Sequence, residues 1–347
     1  MSAARLRVAV NGYGVIGKRV ADAVSAQDDM EIVGIADVET DWRMRIALDK
    51  GFKLFAADGD HLTTMRGAGL QISGTLDSLL SGVDVVVDCT PKRIAAKNMA
   101  LYRDRRVKFI VQGGEKHEVT GHSFVAEASY AGAVGQSATR VVSCNTTSVV
   151  RTLTALKRAG LLRRARGTLL RRATDPWESH AGGIMNTLVP EAEIPSHQGP
   201  DAKTVDPDLD VVTMAVKVPE TLAHLHYWSV DLTRKASKDE VLAALRTSSR
   251  ISFIRVKDGL TALNTVKELM ADFGRPRDNM YEVALWEDML AVDSSEAFYA
   301  YMVDNQAIVI PETIDAIRAL TGRETDAASS IAKTNAALGI GAPFGLA

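Results

Sequence analysis

The chain has 347 residues, enough for two domains with separate cores. A hydrophobic content of 46%, a charged content of 24% and a formal net charge of -2 are those of an ordinary globular protein. That balance excludes a broadly basic surface, so neither nucleic acid nor an anionic membrane is expected as the main partner.

Residues Met1 to Arg7 lack the long apolar core of a secretory signal and run directly into a strand over 6–10. A helix over 16–26, a strand over 31–36 and a helix over 41–49 follow, then a strand over 83–88, a helix over 94–104 and a strand over 107–111. Near-continuous apolar strands between helices predict a parallel sheet covered on both faces. With right-handed crossovers this is a Rossmann-type doubly wound nucleotide-binding domain, assigned to residues 1–143.

From Cys144 the pattern changes. A helix over 146–158 precedes strands over 167–171, 211–218, 224–231 and 282–286, with helices over 238–246 and 262–273. Longer strands with fewer crossovers predict an α+β catalytic domain over 144–310, its sheet mostly antiparallel with helices on one face. Pro311 opens a helix to Leu320 and another spans 326–338, so residues 311–347 are expected to return to the nucleotide-binding domain as C-terminal helices with a small-residue tail. No apolar run approaches the roughly 20 residues of a membrane span. Two cysteines, Cys89 and Cys144, are too few for a disulfide framework, which suits a cytoplasmic protein.

The series Gly12-x-Gly14-x-x-Gly17 follows a strand and opens a helix, the context a dinucleotide fingerprint needs. Gly12 allows the tight turn, Gly14 the approach of backbone to pyrophosphate, and Gly17 the packing of helix on strand. The helix N-terminus adds free N–H groups for the phosphates. Asp37 ends the second strand, where its carboxylate can accept from the adenosine ribose hydroxyls and repel a 2′-phosphate. NAD is therefore favoured over NADP. Asp37 and Asp41 are also rival caps for the helix that follows.

Cys144 stands between an apolar strand-like run and a helix beginning at Asn145 or Thr146, where the helix dipole would stabilise a thiolate. A nucleotide site followed by such a cysteine supplies the two parts needed to oxidise an aldehyde through a thioester. Cys89 also ends a strand, beside Pro91 and Lys92, but has no base near it in sequence. His224 and His226 share one face of an extended segment and read either as a base poised near neutral pH or as a metal pair. No Cys, Asp or Glu cluster completes a metal site. Arg171-Arg172 and the polar stretch from Ser196 to Lys203 could bind an anionic substrate or be solvated surface.

Assembled, these segments resemble the archaeal-type (class II) phosphorylating glyceraldehyde-3-phosphate dehydrogenases over nearly the whole chain. The matching motifs are Val10-Asn11-Gly12-Tyr13-Gly14, Asp88-Cys89-Thr90-Pro91, Gln112-Gly113-Gly114-Glu115-Lys116-His117-Glu118, Ser143-Cys144-Asn145-Thr146-Thr147, Pro195-Ser196-His197, Gly199-Pro200-Asp201 and His224-Leu225-His226. The resemblance implies that Cys144 is the nucleophile and His224, rather than His226, its base. Ser143, Asn145, His197, Gln198 and Gly199 would hold substrate; Val15, Ile16, Gly114 and Gln306 would contact the dinucleotide, with Arg172 reaching cofactor or substrate phosphate. The substrates implied are glyceraldehyde 3-phosphate and inorganic phosphate, and the assembly a homotetramer. Another phosphorylating semialdehyde dehydrogenase, of the aspartate-semialdehyde type, or a dinucleotide-sensing regulator with Cys144 as a redox switch are the alternatives.

The chain departs from the family pattern at three places. Ser148-Val149-Val150 stands where the family has Gly and Leu-Cys, His197-Gln198 replaces a histidine pair, and Gly183-Ile184-Met185-Asn186-Thr187 lacks a proline. Many members also carry a lysine near the position of Asp37, which suits NADP; its absence here moves the expectation further towards NAD.

Overall fold

The computed structural model describes residues 4–112, 114–182 and 184–341; Gly113 and Gly183 of the motifs above, and the end of the tail, lie outside these. The described chain divides into two compact units. One comprises the residues up to Ser143 together with Ile310–Leu338, the other Cys144–Val309 with the described residues after Leu338.

The first unit is built on strands β1 Leu6–Asn11, β2 Met30–Asp37, β3 Leu54–Ala56, β4 Ile72–Thr75, β5 Val85–Asp88, β6 Lys108–Val111, β7 Ser123–Phe124 and β8 Ala138–Val141. Among the described residues they form one sheet in the order β4-β3-β2-β1-β5-β6-β8-β7. Every neighbouring pair is parallel. The chain leaves β1 in one direction through β2, β3 and β4 and returns to its other side with β5. The topological switch thus falls at the end of β1, where the glycine series begins. Strands β3, β4 and β7 were not legible in the periodicity, spanning two to four residues each, whereas β8 ends in the apolar strand-like run before Cys144.

One face of this sheet buries Ala9, Val86, Phe109 and Val111 against Leu76, Leu79, Met99 and Tyr102. The helix Ile310–Thr321 packs on the sheet and on the helices Val15–Ser25 and Ala126–Ala133. Buried almost along its whole length, it carries Glu312, Asp315 and Arg318 inward. Each charge meets partners there, as burial requires. Glu312 accepts from the Ala126 N–H at 2.6 Å, and Asp315 accepts from Ser330 at 2.8 Å and Thr334 at 2.6 Å. Arg318 forks onto both Asp29 oxygens at 2.9 Å and also reaches Gln27 and Thr334.

The second unit contains β9 Leu162–Arg172, β10 Val189–Pro190, β11 Val211–Val218, β12 His224–Leu232, β13 Ile251–Ile254, β14 Val283–Trp286, β15 Ala291–Asp293 and β16 Glu296–Val303. The order is β10-β11-β9-β12-β16-β14-β13, with β15 on β16. The β9–β11 and β13–β14 pairs are parallel and the others antiparallel. Helix Cys144–Arg158 lies on β9 and β16, with helix Lys238–Leu245 packed beside it. Strand β16, in the middle of the sheet, was not foreseen. Its run Ala297-Phe298-Tyr299-Ala300-Tyr301-Met302 has apolar or aromatic residues on both faces and hides the alternation. After Leu338 the chain lies with this second unit, not with the nucleotide-binding unit expected to receive all of 311–347. Gly339 O accepts from Arg275 at 2.7 Å and the Gly341 N–H donates to Glu282 at 3.3 Å.

Replacing Arg318 would leave the buried Asp315 carboxylate without its cation and Asp29 with Lys333 alone, 3.2 Å away. Arg318→Ala is expected to cost about 3–5 kcal/mol of folding stability, read as a lower denaturant midpoint. A midpoint unchanged from the parent would show that the helix Ile310–Thr321 does not depend on this pairing.

Candidate active site

In the first unit the three glycines do three different things. Gly12 has a φ of +93°, and a Cβ on it would stand 2.9 Å from the Cys89 carbonyl carbon. A Cβ on Gly17 would stand 1.8 Å from the Gly12 oxygen, so only glycine lets the helix Val15–Ser25 start so close to β1. Gly14 faces open space, with nothing within 4 Å of where a Cβ would be. That helix has no side-chain cap and no acidic residue in its first turn, and Val15 and Ile16 are half-buried there. Its leading N–H groups suit a phosphate. Gly114 is exposed beside Lys92.

Asp37 does not cap a helix; Asp41 does, accepting from the Arg43 N–H at 2.9 Å. The Asp37 carboxylate accepts from the N–H groups of Tyr13 at 2.5 Å, Val38 at 2.7 Å and Glu39 at 3.0 Å. It is a fixed negative charge tied to the glycine turn, with lone pairs left for a ribose. A second anchor lies behind the turn: Asp88 accepts from Tyr102 at 2.6 Å, Asn98 at 2.9 Å and the Thr90 N–H at 2.9 Å. Tyr102 in turn accepts from Asn11 at 2.8 Å, which joins the end of β1 to the 88–90 loop. Cys89 belongs to this scaffold, its N–H on Asn11 O at 2.7 Å and its thiol pushed up by burial and Asp88.

In the second unit Cys144 is the first residue of the helix Cys144–Arg158, one place earlier than expected. Its Sγ lies 3.5 Å from His224 Nε2. The other ring nitrogen, Nδ1, accepts from the main-chain N–H of Arg172 at 3.0 Å. A backbone N–H can only donate, so Nδ1 carries no proton and the neutral ring bears its hydrogen on Nε2, facing the sulfur. The resemblance implies a base at this place; the ring as held here presents a donor.

His226 has a different task. Fully buried, it sits 2.9 Å from Asn145 Oδ1 through Nε2 and 3.1 Å from the Tyr301 hydroxyl through Nδ1. The two imidazoles stack 6.5 Å apart and engage separate partners. The unusual Ser148 fits this core, its hydroxyl donating to Asn145 O at 2.8 Å, and Val149 and Val150 are fully buried beside it.

Two expectations about ionisation are corrected. Burial pushes the Cys144 thiol above its ordinary value; Arg172, the Asn145 N–H and Arg171 pull it down, and Asp304 adds to the rise. The dipole-stabilised thiolate is therefore not the resting form at neutral pH. Nor is His224 poised near neutrality. Burial, then His226, Arg172 and Arg171, hold it well below the usual imidazole range, and burial and Arg171 bring His226 to about 3. At rest the pair is a thiol and a neutral imidazole.

The remaining expected residues spread around this pair. Arg172 and Gln306 are brought together by Asp175, which accepts from them at 2.9 and 2.6 Å. Arg171 pairs with Glu191. Ser196–Lys203 is not a loop throughout, since Gln198–Lys203 forms a short helix tied to the Cys144 helix by Thr146 Oγ1 on Asp201 at 2.7 Å. Gln198 is fully buried, and neither amide atom has a partner among the described residues. The Gly199 N–H donates to Thr213 Oγ1 at 2.9 Å. His197 is exposed, 3.7 Å from Glu191, and Ser143 is half-buried just before the helix. Sequence reasoning missed Asp175, Glu191 and Tyr301. Tyr301 carried a faint signal, alternating with Tyr299 within the aromatic-rich strand Glu296–Val303, whereas the two carboxylates sit in loop-like stretches without one.

Comparison with known proteins agrees with this division. The description "Glyceraldehyde 3-phosphate dehydrogenase, C-terminal domain" matches residues 143–288, and "Dihydrodipicolinate reductase, N-terminus" matches residues 6–118. Glyceraldehyde-3-phosphate dehydrogenase of Methanococcoides burtonii is 44% identical over 97% of this chain and 99% of its own. The enzymes of that name from Methanobrevibacter smithii and Methanothermus fervidus are 42% and 40% identical, over 96% of this chain and 99% and 98% of theirs.

The neutral resting pair has a direct consequence. Alkylation of Cys144 by iodoacetamide, followed by peptide mass mapping, should rise with pH in one step centred above the ordinary thiol range, because only the thiolate reacts. A plateau of reactivity between pH 6 and 8 would mean a preformed thiolate–imidazolium pair.

Proposed function

The chain belongs to the archaeal-type glyceraldehyde-3-phosphate dehydrogenases, and from that membership we propose that it oxidises D-glyceraldehyde 3-phosphate, with inorganic phosphate, to 1,3-bisphosphoglycerate. The observation that carries the reading is Cys144 at a helix start with Sγ 3.5 Å from His224 Nε2. Cys144 Sγ, its thiol proton released to solvent, attacks the aldehyde carbon, a C–S bond forms, and the carbonyl electron pair moves to oxygen. The Nε2–H of His224, on the sulfur at rest, donates to that oxygen. A nicotinamide dinucleotide held at the Gly12–Gly17 turn would supply the hydride acceptor for this carbon, and loss of the hydride would leave an acyl thioester on Cys144. Phosphate oxygen then attacks the thioester carbonyl and Cys144 departs as thiolate.

The buried, unpartnered amide of Gln198 and the unpartnered Nε atoms of Arg171 and Arg172 suit the oxygens of a phosphorylated substrate or of phosphate. Gly12, Gly14, Val15, Ile16, Gly17 and Gly114 hold the dinucleotide, with Arg172 and Gln306 as further contacts aligned through Asp175. NAD is preferred, because the Asp37 charge is fixed where a 2′-phosphate would come. Two free cysteines suit work in the cytoplasm. No helix of the described residues is long and apolar enough to cross a membrane.

The protein acts as a homotetramer in this reading. The outer face of the second sheet exposes Met214, Tyr227, Met289 and Phe298 around a hollow of about 370 Å³, and a second copy of the chain is the occupant proposed. Phe298→Asp is expected to lower the solution mass measured by light scattering; a parent protein already monomeric at micromolar concentration would refute the assembly.

Phosphate-dependent reduction of NAD and NADP with glyceraldehyde 3-phosphate tests the activity. Turnover should require phosphate and favour NAD, and Asp37→Asn should shift the NADP to NAD ratio of kcat/KM upward by about tenfold, ~1.4 kcal/mol. Cys144→Ser should bind NAD yet lose nearly all turnover. His224→Ala should lose roughly 10²–10³ in kcat, whereas His224→Gln, which keeps a donor, should retain more. Near-normal rates in Cys144→Ser would sink the thioester route, and equal losses in both His224 variants would return the base role to that residue.

A further inference from the structure

We infer that the side-chain amide of Asn145 is a second oxyanion donor beside Cys144, and that His226 and Tyr301 are positioning residues that aim it. The inference rests on Cys144 acting as a nucleophile towards carbonyl carbon, not on the identity of the aldehyde. It begins with an amide held by one end. Asn145 Oδ1 lies 2.9 Å from His226 Nε2, and the other nitrogen of that ring lies 3.1 Å from the Tyr301 hydroxyl. An amide oxygen can only accept, so the His226 proton is on Nε2 and points at Asn145 Oδ1, which leaves Nδ1 to accept from the Tyr301 hydroxyl. The Asn145 carbonyl is thereby engaged and its NH2 group turned away from the histidine. Among the described residues nothing accepts from that Nδ2, and it is not one of the fully enclosed polar atoms that lack a partner.

Two parallel contacts therefore stand side by side on one sheet face. His224 meets Cys144 and, one strand step further, His226 meets Asn145, with the rings stacked 6.5 Å apart. The Asn145 main-chain N–H already bears on the Cys144 sulfur. A carbonyl oxygen on a carbon bonded to Sγ then has the His224 Nε2–H and the Asn145 Nδ2–H as donors from two sides. Neither donor brings a buried charge, since His226 stays neutral to about pH 3 and its ring is sealed from solvent. Fixed neutral dipoles of this kind stabilise charge that appears only as the C–S bond forms.

The supporting shell is buried and rigid. Tyr301 is fully enclosed on β16, paired opposite His226 across the β12–β16 register, and Ser148 Oγ sits 3.4 Å from its hydroxyl. The Ser148 hydroxyl also donates to Asn145 O, so side chain and main chain of Asn145 are braced by the same core.

Two reactions of Cys144 separate this role from a structural one. Acylation by p-nitrophenyl acetate passes through a tetrahedral oxyanion: the thiolate adds to the ester carbon, nitrophenolate leaves, and an acetyl thioester remains. Alkylation by iodoacetamide displaces iodide and forms no oxyanion. Neither needs dinucleotide or sugar phosphate, so the result stands even if glyceraldehyde 3-phosphate is not the substrate. Asn145→Ala and His226→Leu should each slow acylation by roughly 10–10² while leaving alkylation within about twofold, and the double variant should be no slower than Asn145→Ala. Tyr301→Phe should give a smaller loss of the same selective kind, and with Asn145→Ala it decides the matter should His226→Leu not fold. Where the parent enzyme turns over aldehyde, the loss should fall on kcat with KM little changed. Equal slowing of both reactions, no slowing of acylation, losses that multiply in the double variant, or an effect confined to KM would each overturn the inference.

Discussion

One hydrogen bond sets the chemistry of the second unit: the main-chain N–H of Arg172 on Nδ1 of His224. It follows from strand pairing, because the antiparallel register of β9 and β12 sets Leu225 opposite Leu170 and brings the start of β12 alongside the end of β9. A backbone donor cannot be turned round, and leaving it unpaired inside the protein would itself cost free energy. The ring is thus oriented and assigned its tautomer by one interaction, while burial, His226, Arg172 and Arg171 keep it from becoming imidazolium. The same logic runs two residues on, where Tyr301 and Asn145 fix His226.

A neutral thiol beside a neutral imidazole avoids placing two charges where burial penalises both. The consequence is that thiolate must be generated rather than stored. The guanidinium groups of Arg172 and Arg171 favour it when it forms, and they are themselves restrained, Arg172 by Asp175 and Arg171 by Glu191. Asp175 has a further effect, since it also holds Gln306. The side chain that influences the sulfur and the side chain proposed to meet the dinucleotide are therefore adjusted by one carboxylate.

The general architecture was readable because its signals are local. The glycine series reports on β1 and its helix through sterics: a Cβ on Gly17 would meet the Gly12 oxygen, one on Gly12 would meet the Cys89 carbonyl, and Gly14 faces open space. Cys144, His224 and their spacing from a strand end were also legible. What the residues alone could not give is ionisation. Whether Cys144 is thiolate and His224 a base depends on burial and on Arg171, Arg172 and His226, which are remote in sequence or ambiguous in facing. The strand β16 was hidden for a different reason: it carries apolar or aromatic residues on both faces, Phe298 on the exposed one, and so has no alternation to read.

The most direct measurement is the proton position on the two rings. A two-bond nitrogen–proton correlation spectrum of the protein labelled with 15N-histidine distinguishes an Nε2–H from an Nδ1–H imidazole and from imidazolium. The account predicts that His224 and His226 are both neutral Nε2–H tautomers at pH 7, unchanged down to pH 5. An imidazolium pattern for His224, or a proton on its Nδ1, would contradict it and restore a base or an ion pair at the sulfur.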